Sequence, residues 1–134
     1  MIEIVTHARE LVGKPWRHRA RGPVAYDCIG LVVYALTRAG ISVDDRIDYG
    51  REPWREGLRA ELFSRYGDPV DPEPGCVGLF RWINKEPCHI GIIGNYRHGG
   101  LSLIHSHSSH NVTEHALSGA WLKLFVEAYR PWHK

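Results

Sequence analysis

The sequence predicts an α+β domain with helices first and sheet second. Two observations carry this. Apolar residues in the N-terminal third recur at helical spacing, while from about residue 76 they gather into short runs of β-branched and aromatic residues bounded by Gly, Asn or Pro. The two patterns also stay in separate halves of the chain, the signature of helices segregated from an antiparallel sheet.

Ile4, Val5, Ala8, Leu11 and Val12 predict a first helix over residues 3–12, with Gly13 as its stop and Pro15 preventing continuation. Residues 14–25, rich in Gly, Pro and Arg, form a loop. A second helix runs from near Asp27 to about Ala39, with Asp27 as N-cap and Gly40 as C-terminal stop. Ile29, Leu31, Val32, Val33, Ala35 and Leu36 make it apolar on nearly every side, which predicts a central, buried helix. Residues 41–55 look irregular. Glu56 to Tyr66 reads as a short helix with Leu58, Leu62 and Phe63 turned inward, and Gly67 to Gly75 as a loop. The strands are "CVGLFRWI", "CHIGIIGNY", "LSLIHS" and "LKLFVEAYRP", with "HNVTEHAL" as a further one. No internal repeat or low-complexity segment is present.

A chain of 134 residues fits one domain, residues 1–134. With 43% hydrophobic and 24% charged residues it has the composition of a packed globular core. A net charge of +2 without a dense Lys/Arg stripe argues against a nucleic-acid partner. The basic stretch "RHRARG", Arg17 to Gly22, reads as a solvated loop, with contact to an anionic ligand as the alternative. The N-terminus "MIEIVTHARELVGK" carries Glu3, His7, Arg9 and Glu10 and lacks the apolar core of a signal peptide. No segment has the length of a membrane span. The expectation is synthesis in the cytoplasm without a signal peptide. Cys28, Cys76 and Cys88 are an odd set without zinc-like spacing, so free thiols are the simpler reading.

Cys28 stands at the first turn of the central helix. Unpaired N–H groups and the helix dipole favour an anion there, so its thiol is expected to titrate below the roughly 8.5 of a free cysteine. A nucleophilic cysteine also needs a base. His89 opens "HIGIIGN" and His105 lies in "LIHS", each on or beside an apolar strand where an unpartnered imidazole would be costly. A cysteine on a helix followed by two polar groups on strands is the order of a papain-like triad. The bland alternative is that Cys28 is a small buried filler.

These stretches carry a family resemblance. "YDCIGLVVYAL" resembles the Asp-Cys-Ser-Gly-Leu helix start of the NlpC-type cell-wall peptidases, compact papain-like cysteine peptidases, and "LVGKPWRHRARGP" resembles the Gly-x-Pro-Tyr loop ahead of it. "EPGCVGLFRW" is similar to their Pro-Gly-Asp strand opening. "CHIGIIGN" is similar to the strand carrying the catalytic histidine, and "LIHS" to that carrying the third polar residue. The similarity runs from Leu11 to about Pro131. It implies a papain-like fold with the nucleophile on a central helix packed on an antiparallel sheet. It implies Cys28 as nucleophile, His89 as general base and acid, His105 as the group orienting His89, and the Cys28 N–H as an oxyanion donor. It implies peptidoglycan stem or cross-bridge peptides as substrate, often cut at a D-glutamate γ-linked bond, with no cofactor. The short chain and the tail "WLKLFVEAYRP" resemble the phage branch, which implies tail proteins as partners, association with the virion or tail, and action at the bacterial cell wall.

Three positions depart from the pattern. Trp16 replaces a tyrosine whose hydroxyl lies near the oxyanion site, Ile29 replaces a serine that helps bind the amine of trimmed stem peptides, and Cys76 replaces an aspartate. Asp27 remains as an amine partner or a plain N-cap, and Tyr26 as a cleft or core residue. Trp16, Asp27 and Tyr26 are therefore the expected substrate-binding residues. His105, His107, His110 and His115 raise a metal site as an alternative, but only Glu114 accompanies them and no metal is expected. Trp54, Trp82, Trp121 and Trp132 read as core or rim. Competing functions are an amidase or acyltransferase using the same three residues, and a tail-assembly protein with reduced catalysis.

Overall fold

The computed structural model describes residues 1–45, 57–82, 86–108 and 110–132. In chain order it contains α1 (Ile2–Arg9), α2 (Cys28–Arg38), α3 (Leu58–Tyr66), β1 (Val77–Arg81), β2 (Pro87–Asn95), β3 (Leu101–His107), β4 (His110–Ala116), α4 (Gly119–Leu124) and β5 (Phe125–Tyr129). The strands form one antiparallel sheet in the order β4-β3-β2-β1-β5. Helices and antiparallel sheet are thus segregated along most of the chain, a mixed α+β architecture. Trp54, Glu56 and most of the stretch read as irregular lie outside the described residues.

α1 ends sooner than its apolar spacing predicts. After Arg9 the backbone tightens, with Leu11 N–H donating to Ala8 O and Val12 N–H to Arg9 O. Gly13 then leaves at φ +97°, its N–H donating to Val112 O of β4, while Val112 N–H donates back to Lys14 O. The apolar pattern thus continues to Leu11, buried beside Ile4, Val5 and Ala8, but through a turn rather than α-helix.

α2 begins and stops where its local signals say. The Asp27 carboxylate accepts from Gly30 N–H at 2.7 Å, and Gly40 at φ +87° takes the left-handed position after the C-cap. It is less uniformly buried than its composition suggests: Leu31, Val32, Ala35 and Leu36 are buried, whereas Ile29, Val33 and Tyr34 are half-buried. α3 buries Leu58 and Leu62 but turns Phe63 to solvent, 53% exposed. Adjacent helical residues point about 100° apart, so Leu62 and Phe63 cannot share one narrow inward stripe.

Residues 122–131 are not a single strand. α4 takes Gly119–Leu124 and only then does β5 begin. The Leu122-Lys123-Leu124-Phe125 alternation mimics a strand, but Trp121 and Leu124 are the residues that pack on the sheet while Leu122 is exposed, a spacing of three rather than two. β4 and β5 lie on opposite edges of the sheet, so the connection must cross a face. α4 makes that crossing and carries Trp121 over it.

Alternation along the strands divides the core in two. Val77, Leu79, Ile90, Ile92, Ile104 and Val112 join residues of α1 and α2 in one cluster. Phe80, Ile93, Leu103 and Ala128 form a second, with Trp121, Leu124 and Phe125 against it. Among the described residues no helix is long and apolar enough to cross a membrane.

Candidate active site

Cys28 is the first residue of α2 and sits immediately after a heavily tied N-cap. One Asp27 carboxylate oxygen accepts from Gly30 N–H and from the Arg21 guanidinium at 3.2 Å; the other accepts from Arg19 N–H at 3.0 Å. Arg21 also makes a two-point ion pair with Asp45, at 2.8 and 2.9 Å. The basic loop is therefore held against the helix start rather than free in solvent. Its approach is so close that a Cβ on Gly30 would lie 2.1 Å from Ala20 O. That requirement explains a glycine in the first turn of an otherwise apolar helix, where it carries an entropic cost.

The segment before Cys28 is fixed from the sheet as well. Ser106 of β3 donates its hydroxyl to Tyr26 O at 2.7 Å, in the interior. Tyr26 N–H donates to Pro15 O, and the Tyr26 ring is buried edge-on against Tyr34, with its hydroxyl end packed on Gly22. Tyr26 is thus part of the core. Trp16 is half-buried on the loop ahead of α2, near the His18 ring.

The thiol of Cys28 does not titrate low. Burial pushes it up to about 12, the Asp27 carboxylate and the Cys88 thiol push the same way, and the N–H groups of Ile90 and Ile29 pull against them. The expectation of an anionic sulfur considered only the helix end. Loss of water outweighs that field, and the N-cap carboxylate opposes it. The resting group is a neutral thiol. All three cysteines are free.

His89 and His105 come together across β2 and β3. Nε2 of His89 lies 2.7 Å from Nδ1 of His105, with both rings buried. Gly91 permits this spacing, since a Cβ there would meet Ile104 O at 2.8 Å and the His105 Cβ at 2.9 Å. Burial holds His89 neutral by lowering its pKa to about 3, with nearby His107 adding to the effect. Burial lowers His105 further, and His89, His115, His107 and His110 reinforce it. A third imidazole continues the line: Nε2 of His105 is 2.8 Å from Nε2 of His115 in β4. Nδ1 of His89 has no hydrogen bond among the described residues.

Trp121 covers this row, 4.6 Å from His105, 5.2 Å from His115 and 6.3 Å from His89 between ring centroids. Trp82 stacks on His89 at 5.1 Å. Among the described residues no group of three His, Cys, Asp or Glu side chains is arranged to hold a metal. The imidazoles bind one another instead. Sequence reading missed Gly30, Ser106 and Trp121 as site residues, and raised His115 only as part of a possible metal group. The signals available were a glycine inside the first turn of an apolar helix and the spacing of the histidines.

One backbone contact links the two halves. Ile93 N–H donates to Cys76 O on the β1 side, so by alternation Ile90 N–H points to the other edge of β2. The pairing of β2 with β3 runs from Asn95 with Leu101 to Ile92 with Ile104 and extends no further toward the start of β2. At that open edge the Ile90 N–H meets the Cys28 sulfur.

No protein-family model matches the sequence, and no curated protein does. Solved structures match the fold. An NlpC/P60 family protein from Bacillus cereus ATCC 10987 superposes with a TM-score of 0.70 at 17% identity, over 96% of this chain and 39% of that one. A protein similar to lipoprotein, NLP/P60 family, from Staphylococcus aureus subsp. aureus Mu50 gives 0.67 at 18%, over 98% and 41%. The NlpC/p60 domain of the peptidoglycan hydrolase SagA gives 0.63 at 17%, over 96% of both chains. The chain spans about two-fifths of the first two and nearly all of the third. It has the fold of NlpC/P60 proteins.

Proposed function

We propose that this protein is a cysteine peptidase that hydrolyses stem or cross-bridge peptides of peptidoglycan, with Cys28 as nucleophile, His89 as general base and acid, and His105 orienting His89. The observation that carries this is the contact at the open edge of β2. The sulfur takes the N–H of the residue directly after His89, while His89 is anchored through Nε2 and leaves Nδ1 unoccupied. The NlpC/P60 fold, shared over 96% of both chains with a domain of a peptidoglycan hydrolase, supports the substrate class.

In this reaction the Cys28 S–H bond breaks as its proton passes to Nδ1 of His89, and the sulfur attacks the amide carbon. Because burial disfavours an isolated thiolate, proton transfer accompanies attack. The Cys28 N–H receives the developing oxyanion. The C–N bond then breaks, the leaving amine takes the proton from His89, and water hydrolyses the thioester by the same base. In this reading Trp16, on the preceding loop, is the residue that would offer an N–H to the carbonyl, and Asp27 and Tyr26 act from behind the cleft, Asp27 through the N-cap that holds the helix start and Tyr26 through the core. Tail association, tail-protein partners and action at the cell wall complete the proposal.

Incubation with defined muropeptides, read by mass spectrometry, tests it. Wild-type protein should release cleaved peptides, and Cys28→Ala should lower the rate to background. Equal cleavage by Cys28→Ala would overturn the assignment. The neutral thiol and Ile29 favour a second reading, a tail-assembly protein with reduced catalysis. It would show as full particle assembly with Cys28→Ala and no cleavage by wild type.

A further inference from the structure

The imidazole row does not end at His105, and its far end has a direction. Nδ1 of His115 lies 3.0 Å from Ala116 O, and a carbonyl oxygen can only accept. His115 Nδ1 must therefore carry its proton. In its neutral form His115 has that single N–H, and its Nε2 is then a lone pair. Across 2.8 Å it faces Nε2 of His105, which must donate. His105 then has a lone pair at Nδ1, and across 2.7 Å Nε2–H of His89 donates to it. The lone pair of His89 is left at Nδ1, the atom without a partner.

Taking His89 as the base proposed above, we infer that His115 is a positioning residue that, anchored on the Ala116 carbonyl, fixes the tautomers of His105 and His89 so that Nδ1 of His89 is left unprotonated, able to take the Cys28 proton. The reverse arrangement would set a His115 lone pair against the Ala116 oxygen and place the His89 proton on Nδ1, where it blocks transfer from sulfur. The row also serves the charged state. When His89 gains a proton at Nδ1 its Nε2–H keeps a neutral acceptor, and each donor behind it stays satisfied. His107 and His110 stand beside the row, the His107 ring 5.1 Å from that of His105 and 4.8 Å from that of His110. Neither hydrogen-bonds into it among the described residues. His89 and His105 are buried, which protects their part of the row from exchange with solvent partners.

Tautomers are read directly by NMR of the full chain with 15N-labelled histidine at neutral pH, the rings assigned with single His→Gln variants. The expected pattern is N–H at Nε2 of His89, Nε2 of His105 and Nδ1 of His115. The opposite tautomer at any of the three overturns the inference. Iodoacetamide labelling of Cys28 provides the second readout. His115→Leu, which removes the acceptor, should slow it by about tenfold or more and mix the His89 tautomers; loss of an orienting group in serine peptidases reaches about 10⁴-fold. His115→Gln, whose carbonyl accepts from His105, should recover most of the rate. Equal rates and an unchanged His89 tautomer in His115→Leu would overturn the inference, as would an equal loss in both variants. Neither readout needs a substrate. If the tautomers are as stated and Cys28→Ala still cleaves muropeptides, the hydrolase assignment falls alone. If Cys28→Ala is inactive and the tautomers are reversed, the role of His115 falls alone.

Discussion

Toward α1 and α2 the sheet presents Val77, Leu79, Ile90, Ile92, Ile104 and Val112, aliphatic side chains that ask only to be filled. On the other side it presents Phe80, His89, His105 and His115 under Trp121 and Trp82. The aliphatic side gains from burial in proportion to area and tolerates any packing that leaves no void. On the imidazole side His89 and His105 are polar and buried, so the nitrogens they share depend on specific neighbours. One side supplies stability and the other uses some of it to keep His89 and His105 buried and neutral.

Substitutions on the aliphatic side should move stability alone. Leu36 is fully buried, so Leu36→Ala should cost about 2–5 kcal/mol, read as a fall in the urea midpoint. The titration of His89 should not change; a shifted titration would mean that the two sides are not independent.

Acid should act through the imidazole side. His89 has an unfolded pKa of 6.5 and a folded pKa of about 3. Between those values the unfolded chain binds the extra proton, so stability falls as pH drops below 6.5 and levels off near 3. From pH 7 to pH 5 the loss is about 2 kcal/mol from His89 alone, and His105 adds to it in the same direction. Cys28 gives the alkaline counterpart. Its thiol rises from 9.0 to about 12 on folding, so stability falls as pH climbs through that window, and Cys28→Ala should flatten this limb. A urea midpoint constant from pH 5 to 7 would contradict neutral, buried histidines.

Gly30→Ala tests the joint between the halves. Its Cβ would sit 2.1 Å from a backbone oxygen, which cannot rotate away as a side chain could. A loss of about 1–3 kcal/mol is expected, with slower alkylation of Cys28 as the loop and helix start part. Alkylation at the wild-type rate would show that the loop does not set the sulfur's position. The smallest effect belongs to Phe63, which faces solvent on α3, so Phe63→Ser should change stability by less than about 0.5 kcal/mol.

What the sequence disclosed was what local chemistry determines. Asp27 and Gly40 bracket α2 because a cap and a left-handed stop act on their immediate neighbours. His89 and His105 were suspect because an imidazole on an apolar strand needs a partner. α4 was hidden by an alternation that a strand and a short helix can both show. The neutrality of Cys28 was hidden for another reason: a helix end is visible in a sequence, whereas the burial that raises the thiol comes from the folded surroundings, and the Cys88 side chain that adds to it stands sixty residues away. His115 was visible only as one of a group of histidines that raised a metal site, and its bond to His105 was not, because that partner is supplied by the neighbouring strand.

His105 and Ser106 are chain neighbours facing opposite ways, one toward His89 and the other gripping the carbonyl two residues ahead of the Cys28 sulfur. Sliding that strand by a single position would exchange their sides. The imidazole would be buried among aliphatic groups and the grip on residue 26 would vanish in the same event. Misfolding here should therefore give molecules that lack the histidine row and the fixed helix start together, rather than a population keeping one of the two.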